Sequence, residues 1–154
     1  MLQKWSLGVF AIIPGILDDQ VLVSQRWDDN RWNLPGGGVE EGEDEDAALV
    51  RETREETGLI VKPVELVGTY THRGVSTVAF FFWCDRLAGK LVDEVEGEVR
   101  ANRFFPLLVI DEWTKRGMFV ERQAKMIKYA LQGRRGVHLG SGGRVIVPGI
   151  KLEK

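Results

Sequence analysis

Glu52, Glu55 and Glu56 stand at i, i+3 and i+4 in the run Arg51-Glu52-Thr53-Arg54-Glu55-Glu56-Thr57-Gly58-Leu59. On a helix those positions share one side, so the three carboxylates converge. Converging carboxylates repel, and an isolated helix carrying them is weakened. A hard divalent cation with oxygen ligands, Mg²⁺ or Mn²⁺, relieves that repulsion. The plain alternative is a solvated acidic face with no ligand. Just upstream runs Gly36-Gly37-Gly38, a stretch that lets backbone carbonyls approach an ion or a phosphate closely.

The helix that must carry these groups is bounded by sequence signals. Glu43 or Asp44 can cap its start, and acids crowd its first turn. Gly58 suits the position past its end. The predicted helix therefore runs from about Glu45 to about Thr57. Glu45 lies on the carboxylate side. Ala47, Val50 and Thr53 are expected on the opposite, packed side, a narrow stripe of small residues.

This segment resembles the signature of the Nudix hydrolase family. That signature is Gly, five residues, Glu, seven residues, then Arg-Glu-aliphatic-any-Glu-Glu-any-Gly-aliphatic. Gly37, Glu43, Arg51, Glu52, Glu55, Glu56, Gly58 and Leu59 match it. Its seven invariant positions, at roughly one in ten each by composition, coincide by chance in about one placement in 10⁷. Thr53 departs, standing where an aliphatic residue is usual. The resemblance implies an α+β fold, an α/β/α sandwich with a mixed β-sheet between helices. It also implies metal-dependent hydrolysis of a nucleoside diphosphate linked to another group. By residue-for-residue match, Glu52, Glu55 and Glu56 are the implied ligands and catalytic acids. A carbonyl of Gly36 or Gly37 is a further ligand. Arg51 pairs with Glu43 to orient the ligands.

Other candidates lie outside the signature. The general base is either a signature glutamate or an acid of the loop from Asp93 to Glu98, with Glu98 and Glu96 ahead of Glu94. Those loop acids can equally serve only to solvate a surface. Arg26 ends a predicted strand beside the glycines, where it either holds a phosphate or forms a surface ion pair. Trp27 and Trp32 are expected either to cap the core edge or to give a stacking surface for a base. Gly37 and Gly38 complete the expected substrate-binding set. His72 and Arg73 sit in a turn that nothing fixes near the site. His138 is expected to be exposed, and Cys84, in a Phe-rich run, to be core.

Bulk properties set limits. The 154 residues fit one domain with a sizeable core, 44% are apolar and 29% charged. A net charge of −2 gives no electrostatic case for a nucleic-acid surface. One cysteine excludes an intramolecular disulfide and fits a reducing compartment. The apolar run Val9 to Ile13 is too short to span a membrane. A cytoplasmic protein is expected.

Strands are expected at Trp5 to Ile13, Gln20 to Arg26 (covered on both faces), Ile60 to Tyr70 with a break at Pro63, Ser76 to Cys84 and Val99 to Phe105. A turn is expected at Thr71 to Gly74. A short turn or helix is expected near Glu112 to Arg116, and a helix at Val120 to Leu131. The domain is read as 1–133. The Gly-rich, basic stretch 134–154 then docks on the domain, pairs with a second copy in a homodimer, or stays mobile, with Arg144 to Val147 a candidate edge strand.

Two classes of function fit: a pyrophosphohydrolase, or a binding module of the same fold that senses a nucleotide without cleaving it. Relatives acting on ADP-ribose often carry a proline past the signature, and those acting on dinucleoside polyphosphates a tyrosine. Arg73 to Thr77 holds neither, which favours a nucleoside triphosphate or related nucleotide.

Overall fold

In the computed structural model the described residues are 4–140 and 145–146. The strands are β1 (Ser6–Ile12), β2 (Gln20–Arg26), β3 (Trp32–Asn33) and β4 (Gly36–Gly38). After helix α1 (Glu45–Thr57) come β5 (Leu59–His72), a single 3₁₀ turn and β6 (Thr77–Gly89). The chain continues through β7 (Val99–Pro106), α2 (Leu107–Lys115), α3 (Glu121–Leu131), β8 (Val137–Leu139) and β9 (Val145–Ile146).

Six strands form a mixed sheet in the order β4-β1-β6-β5-β8-β9, and three form a second sheet, β3-β2-β7. β1 pairs parallel with β6 and antiparallel with β4. The expected α+β sandwich with a mixed sheet between helices is the observed architecture. The Phe-rich strand β6 lies inside the large sheet, between β1 and β5, as its composition predicts. Side chains alternate across the strands into two cores. Ile12, Val21, Val23 and Phe81 enter the core beneath α2 and α3, while Val9, Ala11, Leu22 and Cys84 enter the one beneath α1. Thus β2 is covered on both faces, as its pattern predicts.

Helix α1 has the predicted bounds. Asp44 accepts a hydrogen bond from Ala47 N–H at 2.8 Å, and Gly58 takes φ 78°, which favours glycine. Its packed face is rotated from the expected one. Ala48, Leu49, Thr53 and Thr57 are buried, whereas Ala47 is exposed and Val50 half-buried. The reason is that Leu49 is the one large apolar side chain here, and its full burial contributes about 1.5–3 kcal/mol.

Two further boundaries differ from expectation. β5 continues through Pro63, with bulges that absorb the missing donor, and runs on to His72. The second helix begins at Leu107, directly after Pro106, because Leu107, Ile110 and Trp113 pack inward at helical spacing. In the C-terminal stretch, Val137–Leu139 pairs parallel with Gly68–Tyr70 of β5, and Val145–Ile146 pairs with β8. Val137 and Leu139 are buried. The remainder of that stretch, 141–144 and 147–154, lies outside the described residues.

Candidate active site

The helical rotation sets the environment of each acid. Glu52 and Glu56, one turn apart, fall at the border of the buried face and are half-buried, while Glu55 faces solvent. Beside them the chain opens into a cavity of about 470 Å³, lined by Arg26, Gly36, Gly37, Arg51, Glu52, Glu55, Glu56 and Glu98 among others.

Arg51 organises the acids. Its Nη2 donates to Glu43 Oε1 at 2.5 Å and to the Gly38 carbonyl at 3.1 Å. Its Nη1 donates to Glu52 at 2.9 Å and to Glu55 at 3.3 Å. The Glu43 hydrogen bond is the main cause of its raised pKa, and in return Arg51 holds Glu43 below the usual carboxylate range. Glu56 has turned the other way and accepts the Gly36 N–H at 3.2 Å. Burial pushes the Glu56 carboxyl up to about 8, and the nearby charges of Glu52 and Glu98 add to that rise. Glu52 is also raised, by burial first, against the opposing pull of Arg51.

Among the described residues no three acidic, histidine or cysteine side chains converge at metal-ligating distance. The cause is visible: Arg51 draws Glu52 and Glu55 one way while Gly36 holds Glu56 the other. The donor set nevertheless fits Mg²⁺ or Mn²⁺, being all oxygen and rich in carboxylate. A Cβ on Gly37 would collide with the Glu52 carboxylate, so only glycine lets that carboxylate lie against the loop backbone. Like charges crowd a half-buried Glu56, and a cation would offset them.

The other sequence candidates divide. Arg26 borders the cavity, held by Asp28 at 2.5 Å and by Asp29 at 3.5 Å. Glu98 borders it too, whereas Glu94 and Glu96 do not. Trp32 does not supply a stacking surface. It is 8% exposed and stacks on Trp113 at 4.8 Å, with Phe105 edge-on, so it is core. Trp27 lies under the Arg100 guanidinium, 4.4 Å from the ring centroid, and does not border the cavity. Gly38 does not border it either and serves instead as the Arg51 acceptor. His138 is half-buried, with Nδ1 2.7 Å from Thr69 Oγ1, not exposed as expected. Cys84 is buried, and burial pushes its thiol up to about 12, which suits a core residue.

Asn102 escaped the sequence reading. Fully buried on β7, it donates to the Glu56 carbonyl at 2.8 Å and to the Val92 carbonyl at 3.1 Å. It also accepts from Ser24 Oγ at 2.6 Å. Its one local signal is an uncharged polar residue within a predicted strand, Val99 to Phe105. Asn102→Ala should cost about 2–4 kcal/mol by orphaning these groups, read as a lower urea midpoint, and should reduce kcat by loosening the end of α1. An unchanged midpoint would remove Asn102 from the support of the site.

The family model for the NUDIX domain matches residues 7–130. This chain belongs to the Nudix hydrolase family. A MutT-like protein of Streptomyces ambofaciens is 33% identical over 132 residues, 85% of this chain and 80% of that protein. An RNA pyrophosphohydrolase of Vibrio atlanticus is 42% identical over 53 residues, only 34% of this chain and 31% of that protein. Among solved structures, a NUDIX hydrolase from Nitrosomonas europaea superposes with a TM-score of 0.72 at 24% identity, covering 91% of this chain and 80% of that one. An ADP-ribose pyrophosphatase from Streptococcus suis gives 0.69 at 23%, covering 84% and 92%. At that identity the likeness is one of fold. The signature loop and helix of this Nudix hydrolase are β4 and α1, which the large sheet holds side by side.

Proposed function

We propose that this Nudix hydrolase cleaves a pyrophosphate linkage in a nucleoside diphosphate derivative, a nucleoside triphosphate or a related nucleotide, with Mg²⁺ or Mn²⁺, in the cytoplasm. The observation that carries the reading is the cavity in which Glu52, Glu55, Glu56 and Glu98 meet the Gly36-Gly37 backbone. Glu52, Glu55, Glu56 and a loop carbonyl are the groups that would hold the metal. When bound there, the cation supplies charge neutralisation for the phosphates and acidifies a water. Arg51, fixed by Glu43, orients Glu52 and Glu55. Arg26 offers a guanidinium to a phosphate once it leaves Asp28 and Asp29. Glu98, exposed at the cavity rim, accepts the proton of the attacking water. The cytoplasmic reading rests on the single, unpaired Cys84. Among the described residues no helix is long and apolar enough to cross a membrane.

The test is a panel of nucleoside triphosphates, deoxynucleoside triphosphates and ADP-ribose, with Mg²⁺ or Mn²⁺, in H₂¹⁸O. The expected result is two phosphorylated products, one a nucleoside monophosphate, with the label on one product phosphate and no phosphoryl-enzyme on rapid quenching. Micromolar binding without cleavage across the panel would transfer the protein to the sensor class.

A further inference from the structure

Two more cavities continue from the metal-site cavity along the face of the large sheet opposite α1. The first, about 270 Å³, shares Phe10 and Gly37 with it. Its floor is small: Gly8 and Ala79 are register partners across β1 and β6. Its walls are Phe10, stacked on Phe81 at 5.3 Å, with Tyr70 and His72. A flat slot of this kind accepts a planar ring. His72 Nδ1 is buried beside the slot, against Gly74, with no hydrogen-bond partner among the described residues.

The second cavity, about 420 Å³, shares Tyr70 and Arg122 with the slot and adds Arg31 and Lys125. Arg31 and Lys125 are exposed, and Arg122 lies over the Tyr70 ring at 5.1 Å. Only Lys125 has an acid partner among the described residues, Glu121 at 3.6 Å. The β2–β3 loop is tied to the start of α3, since Trp32 N–H donates to the Met118 carbonyl at 2.7 Å. That bond keeps Arg31 beside Arg122. Two guanidiniums without acid partners among the described residues, beside an ammonium paired with Glu121 of the same cavity, suit a phosphate.

Acidic metal site, aromatic slot and basic cavity therefore follow one another. We propose that the preferred substrate is a nucleotide carrying a second anionic group on its ribose, away from the pyrophosphate, and that Arg31, Arg122 and Lys125 bind this group. This rests on the reading of the first cavity as a pyrophosphate-cleaving site. The 5′ pyrophosphate lies at the signature acids, the nucleoside in the slot and the ribose phosphate among the three cations. The source is either a small nucleotide phosphorylated on its ribose or the 5′ end of an oligonucleotide, whose first internucleotide phosphate occupies the same place.

The experiment compares GTP, GTP carrying a 3′-diphosphate, and a 5′-triphosphorylated dinucleotide as substrates of the full chain. Adenosine 3′,5′-bisphosphate is titrated in parallel by calorimetry against the metal-free protein. The ribose-phosphorylated substrates should show KM at least about tenfold below that of GTP. The Arg31→Ala Lys125→Ala double variant should bring the ratio close to one and abolish bisphosphate binding. Both side chains are exposed, so the variant should keep its thermal midpoint, checked by circular dichroism. A lower KM for the dinucleotide alone assigns the oligonucleotide source, and one for the 3′-diphosphate alone the small nucleotide. Cleavage of GTP with no gain from either addition overturns this inference and leaves the hydrolase reading standing. Bisphosphate binding that persists while nothing is cleaved supports the basic cavity and removes the hydrolase reading.

Discussion

Excess EDTA should abolish turnover, and Mg²⁺ or Mn²⁺ should restore it. The cavity is lined by six carboxylates, Asp28, Glu40, Glu52, Glu55, Glu56 and Glu98, against two cations, Arg26 and Arg51. Both cations are already engaged by acids, Arg26 by Asp28 and Asp29, Arg51 by Glu43, Glu52 and Glu55. A pyrophosphate brings further negative charge to a surface that already repels it. Divalent charge is therefore expected to be what lets the anion enter and water reach phosphorus. The expected loss is at least about 10³-fold in kcat/KM, about 4 kcal/mol of transition-state stabilisation. Full activity in excess chelator, measured on dialysed protein, would end the metal reading.

Glu56→Gln should lower kcat by orders of magnitude while the metal-free protein becomes more stable at alkaline pH. The two effects have one origin. Burial, then the charges of Glu52 and Glu98, push the folded-state carboxyl up to about 8. In the unfolded chain it titrates near the ordinary value of about 4.3. Between those limits the folded state binds more protons than the unfolded one, so stability falls as pH rises. The stability contributed by the protonated carboxyl is complete below the unfolded pKa and is lost as pH passes through the folded one. Glutamine does not ionise and escapes that loss. Each tenfold difference in proton affinity between the two states is worth about 1.4 kcal/mol, so above pH 8 the metal-free variant should exceed the parent by up to a few kcal/mol. Near pH 4 the two should converge. Thermal melts at both pH values in EDTA give the comparison, and Glu41→Gln, outside the signature, is the silent control for activity. A parent-to-variant difference that does not grow from pH 4 to 9 would contradict the burial of Glu56.

The signature helix was legible because its signals are local. Asp44, the acidic first turn and Gly58 each act within one helical turn, and Arg51 reaches Glu43 and Glu52 from the same stretch. The rotation of α1 was not legible. Ala47 and Val50 resemble Ala48 and Leu49 in type, and only the sheet beneath decides which pair it covers. Trp32 failed for the same reason, since Phe105 and Trp113, which bury it, come from distant parts of the chain. Asn102 reads as one polar residue in a strand until Ser24, Val92 and Glu56 are brought to it. Long-range partners, not residue types, separated a base-stacking tryptophan from a core one.

The parallel pairing of β1 with β6 bears on how the chain is made. Ser6 meets Thr77 and Ile12 meets Trp83 in register, so β1 has no inner neighbour until β6 exists. On a ribosome adding ~5–20 residues per second, β4 and α1 emerge seconds before the strand that completes their platform. During that interval Ala48 and Leu49 have no sheet to cover, and the signature acids have no fixed cavity. Such non-local closure slows folding relative to helical bundles of the same size. Nascent chains stalled with α1 outside the exit tunnel and β6 still inside it should therefore be cut by protease within α1, while the released chain should resist. The signature segment is thus synthesised well before the sheet that holds it and is among the last parts to become ordered.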